Sequence, residues 1–343
     1  MLYGRFFSIT TTSDFSIRTA MLMAAGLGTR LLPFTQLKSK ALLPLMGVPV
    51  AQFPVDMFQS AGINEVVVNV HHHANFTEMG LKALDWGKAK FFLSDENQIL
   101  LGSAGGIKNA SHFFGQGGVL LANADVLAAL DVLELCRAHA LNREKNGAWI
   151  TLAIQTGKVP GAYREIVFDP KTHRVTRAGE VTHHASFFSG VAILEKEAYQ
   201  KVPNGVPSEF LSEILLPAIA EKKCFAFPWN GSWLDVGTPQ EWFTSHIKLM
   251  ALMESGKIPK QWRSRVDVSA EQVGTLQWSS RSAFQSGIQP NWKGSGYWDG
   301  GKIAALRDFG PNAVLYGDFG EDVHEGKSWI NGIGMDGQWK SLE

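Results

Sequence analysis

The chain has 343 residues, 45% of them hydrophobic, which is enough apolar material for a packed core and unlike a disordered composition. Its 32 basic and 32 acidic residues cancel, which argues against a broad nucleic-acid-binding face but leaves room for a local anion site. No apolar run reaches the ~18–20 residues of a membrane helix. The N-terminus lacks a secretory apolar region and cleavage site. Two isolated cysteines, Cys136 and Cys224, build neither a disulfide framework nor a zinc site. The expectation is a cytoplasmic protein that handles small molecules, with neither nucleic acid nor membrane as a partner.

Residues 1–17 are polar, without a period, and read as a loose extension. Residues 19–25 are a short apolar run entering a Gly-rich turn, the form of a buried parallel strand that feeds a phosphate-binding loop. Residues 50–61 read as a helix with Pro54 inside it, 65–70 as a second buried strand, 75–84 as a helix and 90–93 as a short strand. Another helix opens over 105–114. Residues 118–122 form a strand that stops at Asn123-Ala124-Asp125, and 129–142 form an amphipathic helix. This alternation predicts an α/β fold with a mostly parallel sheet and helices on both faces. Residues 148–195 are richer in strands. Helix returns over 208–221, a strand covers 224–227, a turn follows at 233–239, and a long helix over 239–255 is capped by Thr238.

Composition shifts after about residue 257. Between Gly274 and Gly337 there are 13 glycines, and six of the 11 tryptophans lie at 262 or later. The division is therefore a main domain over 18–256 and a small Gly- and Trp-rich β domain over 257–343. A loose six-residue rhythm there (Ala313, Phe319; Gly320, Gly326) resembles turns of a left-handed β-helix.

The strongest local signal is Ala24-Ala25-Gly26-Leu27-Gly28-Thr29-Arg30-Leu31-Leu32-Pro33. Glycines after a buried strand let backbone N–H groups approach an anion, and Arg30 adds a guanidinium that forks onto phosphate oxygens. A dinucleotide fingerprint needs Gly where Leu31 stands, and a Walker loop needs a Gly-Lys-Ser/Thr that is absent. An ordinary strand-to-helix turn is the plainer reading until the continuation is included.

Lys40-Ala41-Leu42-Leu43-Pro44 and Pro49 follow. With Gly26, Gly28, Thr29, Arg30, Leu31, Pro33 and Thr35 they resemble the signature of the sugar-1-phosphate nucleotidyltransferases, also called nucleotide-sugar pyrophosphorylases. Ser39 stands where the family commonly has Pro. Leu101-Gly102-Ser103-Ala104-Gly105 resembles the family's nucleobase loop, Asn123-Ala124-Asp125 its Asn-Gly-Asp, and Trp233-Leu234-Asp235-Val236-Gly237-Thr238-Pro239 its Trp-x-Asp segment. The resemblance covers about residues 19–250 and is nearest to the mannose-1-phosphate guanylyltransferase-like and N-acetylmuramate-1-phosphate uridylyltransferase-like subgroups.

The resemblance implies a Rossmann-like domain that transfers a nucleotidyl group from GTP or UTP to a sugar 1-phosphate, giving an NDP-sugar for envelope polysaccharide and releasing pyrophosphate. Two polyanions must meet, so cations and alignment matter more than a protein nucleophile. The implied catalytic residues are Arg30, Lys40 and Asp125. The nucleotide falls to Ala25, Gly26, Gly28, Thr29, Arg30, Gly102 and Ser103. Asp125 and Asp235 are the implied Mg²⁺ ligands, brought together at one sheet edge; the alternative for each is a helix cap or a turn. Glu180 and Gly190 are carried over to the sugar, although Val181 stands where some relatives have Lys.

His71-His72-His73 reads as a strand-end loop rather than a metal cluster, because consecutive residues alternate sides. His183-His184 reads as a solvated turn. Two other functions stay open: a non-catalytic nucleotide-sugar sensor, and a cytidylyltransferase acting on a non-sugar phosphate. Homo-oligomerisation through the C-terminal segment also stays open.

Overall fold

The apolar run after the N-terminal extension forms β1 (Thr19–Met23), and its alternation serves two cores at once. Ala20 and Leu22 join a cluster with Val55, Phe58 and Leu135 on one face of the sheet, while Met21 joins Ala104, Ile107 and Ala110 on the other. A strand buried on both faces has no polar side to show, hence its unbroken apolar sequence. The structure, a computed structural model, describes residues 17–36, 38–71, 74–157, 159–160, 163–182, 186–274, 277–280, 291–292, 296–298, 308–309, 313–316, 332–335 and 338–341. The expected loose extension lies outside them, apart from Ile17, which is buried in the first cluster.

The chain continues through α1 (Gln52–Ser60), β2 (Glu65–Val70), α2 (Ala74–Lys82), β3 (Lys90–Asp95), α3 (Gly102–Ala110) and β4 (Val119–Asn123). Pro54 sits in the first turn of α1, where its missing N–H costs no helix bond. After β5 (Val126–Ala128) comes α4 (Val132–Asn146), capped by the Asp131 carboxylate at its start and by left-handed Gly147 at its end. Next are β6 (Ile150–Thr156), β7 (Glu165–Phe168), β8 (Val175–Gly179), β9 (Ser186–Leu194), β10 (Cys224–Trp229), β11 (Trp233–Asp235) and α5 (Pro239–Glu254).

The main sheet has nine strands in a continuous path β8-β7-β9-β4-β1-β2-β3, with β6 pairing to β9 and β10 to β6. Its β4-β1-β2-β3 half is wholly parallel, so the loops that leave β1, β2 and β4 emerge at one edge. The other half is mixed, because β9 enters antiparallel to both β4 and β6.

The turn expected at 233–239 begins instead as a strand. β11 pairs antiparallel with β5, matching Asp235 with Val126 and Trp233 with Ala128. Its partner lies too far back in the sequence for a local pattern to announce it.

A third apolar cluster lies beneath this ribbon and extends into the C-terminal segment. Phe34, Leu43, Phe53 and Trp242 pack there with Trp262 and Val266 of α6 (Lys260–Ser269), and with Trp278 and Val314. Arg265 ties α6 down: its Nε and Nη2 each donate at 2.8 Å to the Asp56 carboxylate, and Nη2 also reaches Asp85 at 2.8 Å. Beyond α6 lie β12 (Ala270–Gly274), β13 (Gln277–Ser280), β14 (Gly296–Trp298), β15 (Ala313–Tyr316), β16 (Gly332–Met335) and β17 (Gln338–Ser341). They form one sheet in chain order, and the steps β13-β14-β15-β16 are all parallel. Of the residues in the six-residue rhythm, Ala313 lies in β15, while Phe319, Gly320 and Gly326 lie outside the described residues.

Candidate active site

The Gly-rich turn leaves β1 at the parallel edge. Gly28 has φ 64°, a left-handed conformation that L side chains rarely adopt, and a Cβ there would stand 2.7 Å from Thr35 Cγ2. The Thr35 hydroxyl donates to the Gly28 carbonyl at 2.9 Å, and Leu31 N–H donates to the same oxygen at 2.8 Å. The turn is thus held from behind, with Ala24, Ala25 and Gly26 lining a cleft of about 280 Å³. Lys40, Asn69, Gly102, Ser103, Asn123 and Asp125 line the same cleft.

Lys40 forms an ion pair with Asp125 Oδ2. Asp125 sits between β4 and β5, and Asp235 ends β11, so the β5-β11 pairing brings the two carboxylates together. Val236 N–H donates to the Asp125 carbonyl at 3.0 Å. The same-edge expectation for these residues is met by a separate two-stranded ribbon, not by the main sheet. Arg30 is exposed and reaches over this turn: its Nη2 lies 3.2 Å from where a Gly237 Cβ would stand.

Asp235 is 6% exposed. Tyr163 donates its hydroxyl to Asp235 Oδ2 at 2.8 Å, whereas Asp235 Oδ1 is buried without a hydrogen-bond partner. Burial first, and then the Asp125 charge, push the Asp235 carboxyl up to about 7, against the pull of Lys40. Burial and the two carboxylates also hold the Tyr163 phenol far above its ordinary range, so it stays a donor.

A buried carboxylate oxygen with no partner beside a second carboxylate fits a divalent cation. Among the described residues no third His, Cys, Asp or Glu completes a metal cluster. The Asp125–Asp235 pair could hold Mg²⁺, which takes one or two carboxylates and fills its other positions with phosphate oxygens and water.

At the opposite side of the cleft, Gly102 and Ser103 start α3. Ser103 donates to Glu209 Oε2 at 2.8 Å and accepts from Phe210 N–H at 2.7 Å, so its hydroxyl fastens the loop to residues 208–210. Thr29 is exposed beside Arg30. Gly190 lies against Asn123, whose Nδ2 would be 3.0 Å from a Gly190 Cβ. Glu180 is exposed and is not among the residues lining the cleft, and its carbonyl accepts from Arg177. The buried carboxylate of that region is Glu165, which accepts from Thr182 N–H and Oγ1 and pairs with Arg177. His71 caps its strand by bonding to the Glu96 carbonyl at 2.7 Å. His72, His73, His183 and His184 lie outside the described residues.

Sequence reasoning missed Tyr163, Asn69 and Glu96. Tyr163 had only a Gly-rich lead-in to mark it. Asn69 carried a usable signal, as the one polar residue within an otherwise apolar strand interior.

A glycine-lined cleft at the carboxyl edge of a parallel sheet, flanked by a basic pair and two joined carboxylates, defines an enzyme that handles phosphorylated ligands. Residues 19–251 match the Nucleotidyl transferase family, and the chain belongs to it as a sugar-1-phosphate nucleotidyltransferase. It is 31% identical over 242 residues to an N-acetylmuramate alpha-1-phosphate uridylyltransferase of Caulobacter vibrioides, covering 68% of this chain and 97% of that one. It is 26% identical over 239 residues to a mannose-1-phosphate guanylyltransferase of Mycobacterium tuberculosis, covering 67% of this chain and 64% of the relative. In fold it is similar to the crystal structure of HddC from Yersinia pseudotuberculosis, with a TM-score of 0.56, 20% identity, and 68% and 99% of the two chains covered. Membership of an enzyme family sets aside the non-catalytic sensor.

Proposed function

We propose that the protein transfers a uridylyl group from UTP, with Mg²⁺, to the 1-phosphate of an N-acetylmuramate-type sugar. The observation that carries the metal-dependent transfer is the orphaned, buried Asp235 Oδ1 held beside Asp125. The choice of UTP and of the sugar rests on the uridylyltransferase relative, which the match spans almost end to end. A GTP-using enzyme is the second reading, favoured by the guanylyltransferase relative.

In this reading the sugar-phosphate oxygen attacks the α-phosphorus, the new P–O bond forms, and the bond to the β-phosphate oxygen breaks to release pyrophosphate. Asp125 and Asp235 would hold the cation, which when bound neutralises charge between the two phosphate groups. The backbone of residues 24–28 cradles the triphosphate. Arg30, free to move at the surface, takes the β- and γ-phosphates, and Lys40 exchanges Asp125 for the transferring phosphate. Gly102 and Ser103 border the base, and Gly190 beside Asn123 leaves room for the sugar. The unpaired Cys136 and Cys224 suit a reducing compartment, and we place the reaction in the cytoplasm, ahead of envelope polysaccharide synthesis.

The test is pyrophosphate release with Mg²⁺, crossing UTP, GTP, CTP, ATP and dTTP with a panel of sugar 1-phosphates. Release with UTP and N-acetylmuramate 1-phosphate, absent from Asp125→Ala, is expected. Turnover only with CTP and a non-sugar phosphate would replace this reading with the cytidylyl one.

A further inference from the structure

The phosphate-binding turn and the loop before α3 come from different parts of the chain, yet they meet across a single buried pair. Asn69, on β2, is 1% exposed, and Glu96, just after β3, is 2% exposed. Asn69 Oδ1 accepts from Ala24 N–H at 2.8 Å, at the start of the Gly-rich turn. Asn69 Nδ2 donates to Glu96 Oε1 at 2.7 Å. Glu96 Oε2 then accepts from Leu101 N–H at 3.1 Å, immediately before Gly102.

We infer that Asn69 and Glu96 form a positioning pair that locks the phosphate-binding turn to the base-side loop, so that triphosphate and base are bound as one unit. The inference rests on the nucleotide-binding reading of this cleft.

Each side-chain oxygen and nitrogen of Asn69 and Glu96 has a hydrogen-bond partner, and both loops are addressed through backbone N–H groups, which only a correctly placed acceptor can hold. The pair also has a reserved space. A Cβ on Gly106 would stand 2.7 Å from Glu96 Oε1 and 2.8 Å from Asn69 Nδ2, so α3 packs this closely only because residue 106 has no side chain. The Glu96 backbone is anchored too, by its N–H to the Val70 carbonyl at 2.9 Å and its carbonyl to His71 Nδ1 at 2.7 Å. Burial raises the Glu96 carboxyl above its usual range, and the Asn69 and Leu101 donors oppose that rise.

A scaffold that only stabilised the fold would affect both substrates alike. A coupler acts on the nucleotide. Glu96→Gln keeps the size but leaves one carbonyl oxygen for two donors, so one loop is released. In the full-length enzyme its KM for the nucleoside triphosphate is expected to rise at least ~10-fold, the worth of one lost hydrogen bond to a charged group. Its kcat and its KM for the sugar 1-phosphate are expected to hold. Gly106→Ala keeps every polar group and displaces the pair, and is expected to reproduce the same split. Equal rises in both KM values, or none, would overturn the coupling.

One measurement needs no variant. Inorganic tripolyphosphate has no base, so in the wild-type protein it is expected to slow amide exchange at residues 100–103 as well as 24–28. Protection confined to 24–28 would overturn the inference. If tripolyphosphate and every nucleoside triphosphate failed to bind the wild-type protein, the nucleotide reading itself would fall, and that result is distinct from either outcome above.

Discussion

The Tyr163 hydroxyl donates to Asp235 Oδ2 at 2.8 Å and thereby fixes a carboxylate whose other oxygen is buried without a partner. Tyr163 is itself held edge-on by Phe187 and Trp233, with ring centroids 5.2 and 5.3 Å away. Trp233 in turn donates its indole N–H to the Ser189 carbonyl at 3.0 Å. β9 and β11 therefore set the orientation of a proposed metal ligand. Tyr163→Phe keeps the ring and removes the bond. Its Mg²⁺ concentration for half-maximal rate is expected to rise by ~10-fold, and Mn²⁺ binding followed by electron paramagnetic resonance is expected to weaken in step. An unchanged Mn²⁺ affinity would show that Asp235 needs no such partner.

Gly28→Ala places a side chain in a left-handed conformation against Thr35. The backbone alone costs ~1–2 kcal/mol, and the 2.7 Å approach adds to it. A lower urea midpoint and a raised KM for the nucleotide are expected. Gly26→Ala is the stability control, since a Cβ there meets nothing within 4 Å. Equal urea midpoints for the two variants would count against the strained turn.

Arg265 joins α6 to α1 and to the Asp85 loop. It is only partly buried, so screening limits its worth, and Arg265→Ala is expected to cost ~1.5–3 kcal/mol. A double-mutant cycle with Asp56→Asn, followed by urea unfolding, is expected to show coupling between the two side chains. Strict additivity would mean that Trp262 and Val266 hold α6 without help from the ion pair.

His246 is fully buried on α5, bonded through Nδ1 to the Trp242 carbonyl at 2.9 Å, and burial lowers its pKa to about 3. An unfolded histidine titrates near 6.5, so between about pH 6.5 and 3 the unfolded chain binds the extra proton. Stability contributed through this group is whole above that window and falls by ~1.4 kcal/mol for each pH unit within it. His246→Gln should flatten the decline. Urea unfolding at pH 7 and pH 5 checks it, and an identical drop in wild type and variant would rule the histidine out.

The parallel half of the sheet was legible because buried strands and amphipathic helices leave local periodicities, and the Thr238 and Gly-loop signals are local chemistry. In the sequence the strand at Trp233–Asp235 reads as a turn, because three residues carry no period and their partner lies across the molecule. α6 was not anticipated at all: its docking depends on Asp56 and Asp85, which nothing near residue 260 announces.

The sequence by itself determined the residue types of the site and their order: a glycine turn, Arg30 and Lys40, then two aspartates far apart. Those follow from local backbone demands and from the charge that phosphate chemistry requires. Only the tertiary structure decided which groups act on one another. It placed Asp125 beside Asp235 through a short ribbon, set Tyr163 on one carboxylate oxygen and left the other bare. It also joined the two sides of the cleft through Asn69 and Glu96. Hydrogen bonds and burial depend on distance in space, and residues 27 to 110 positions apart acquire that distance only when the sheet forms.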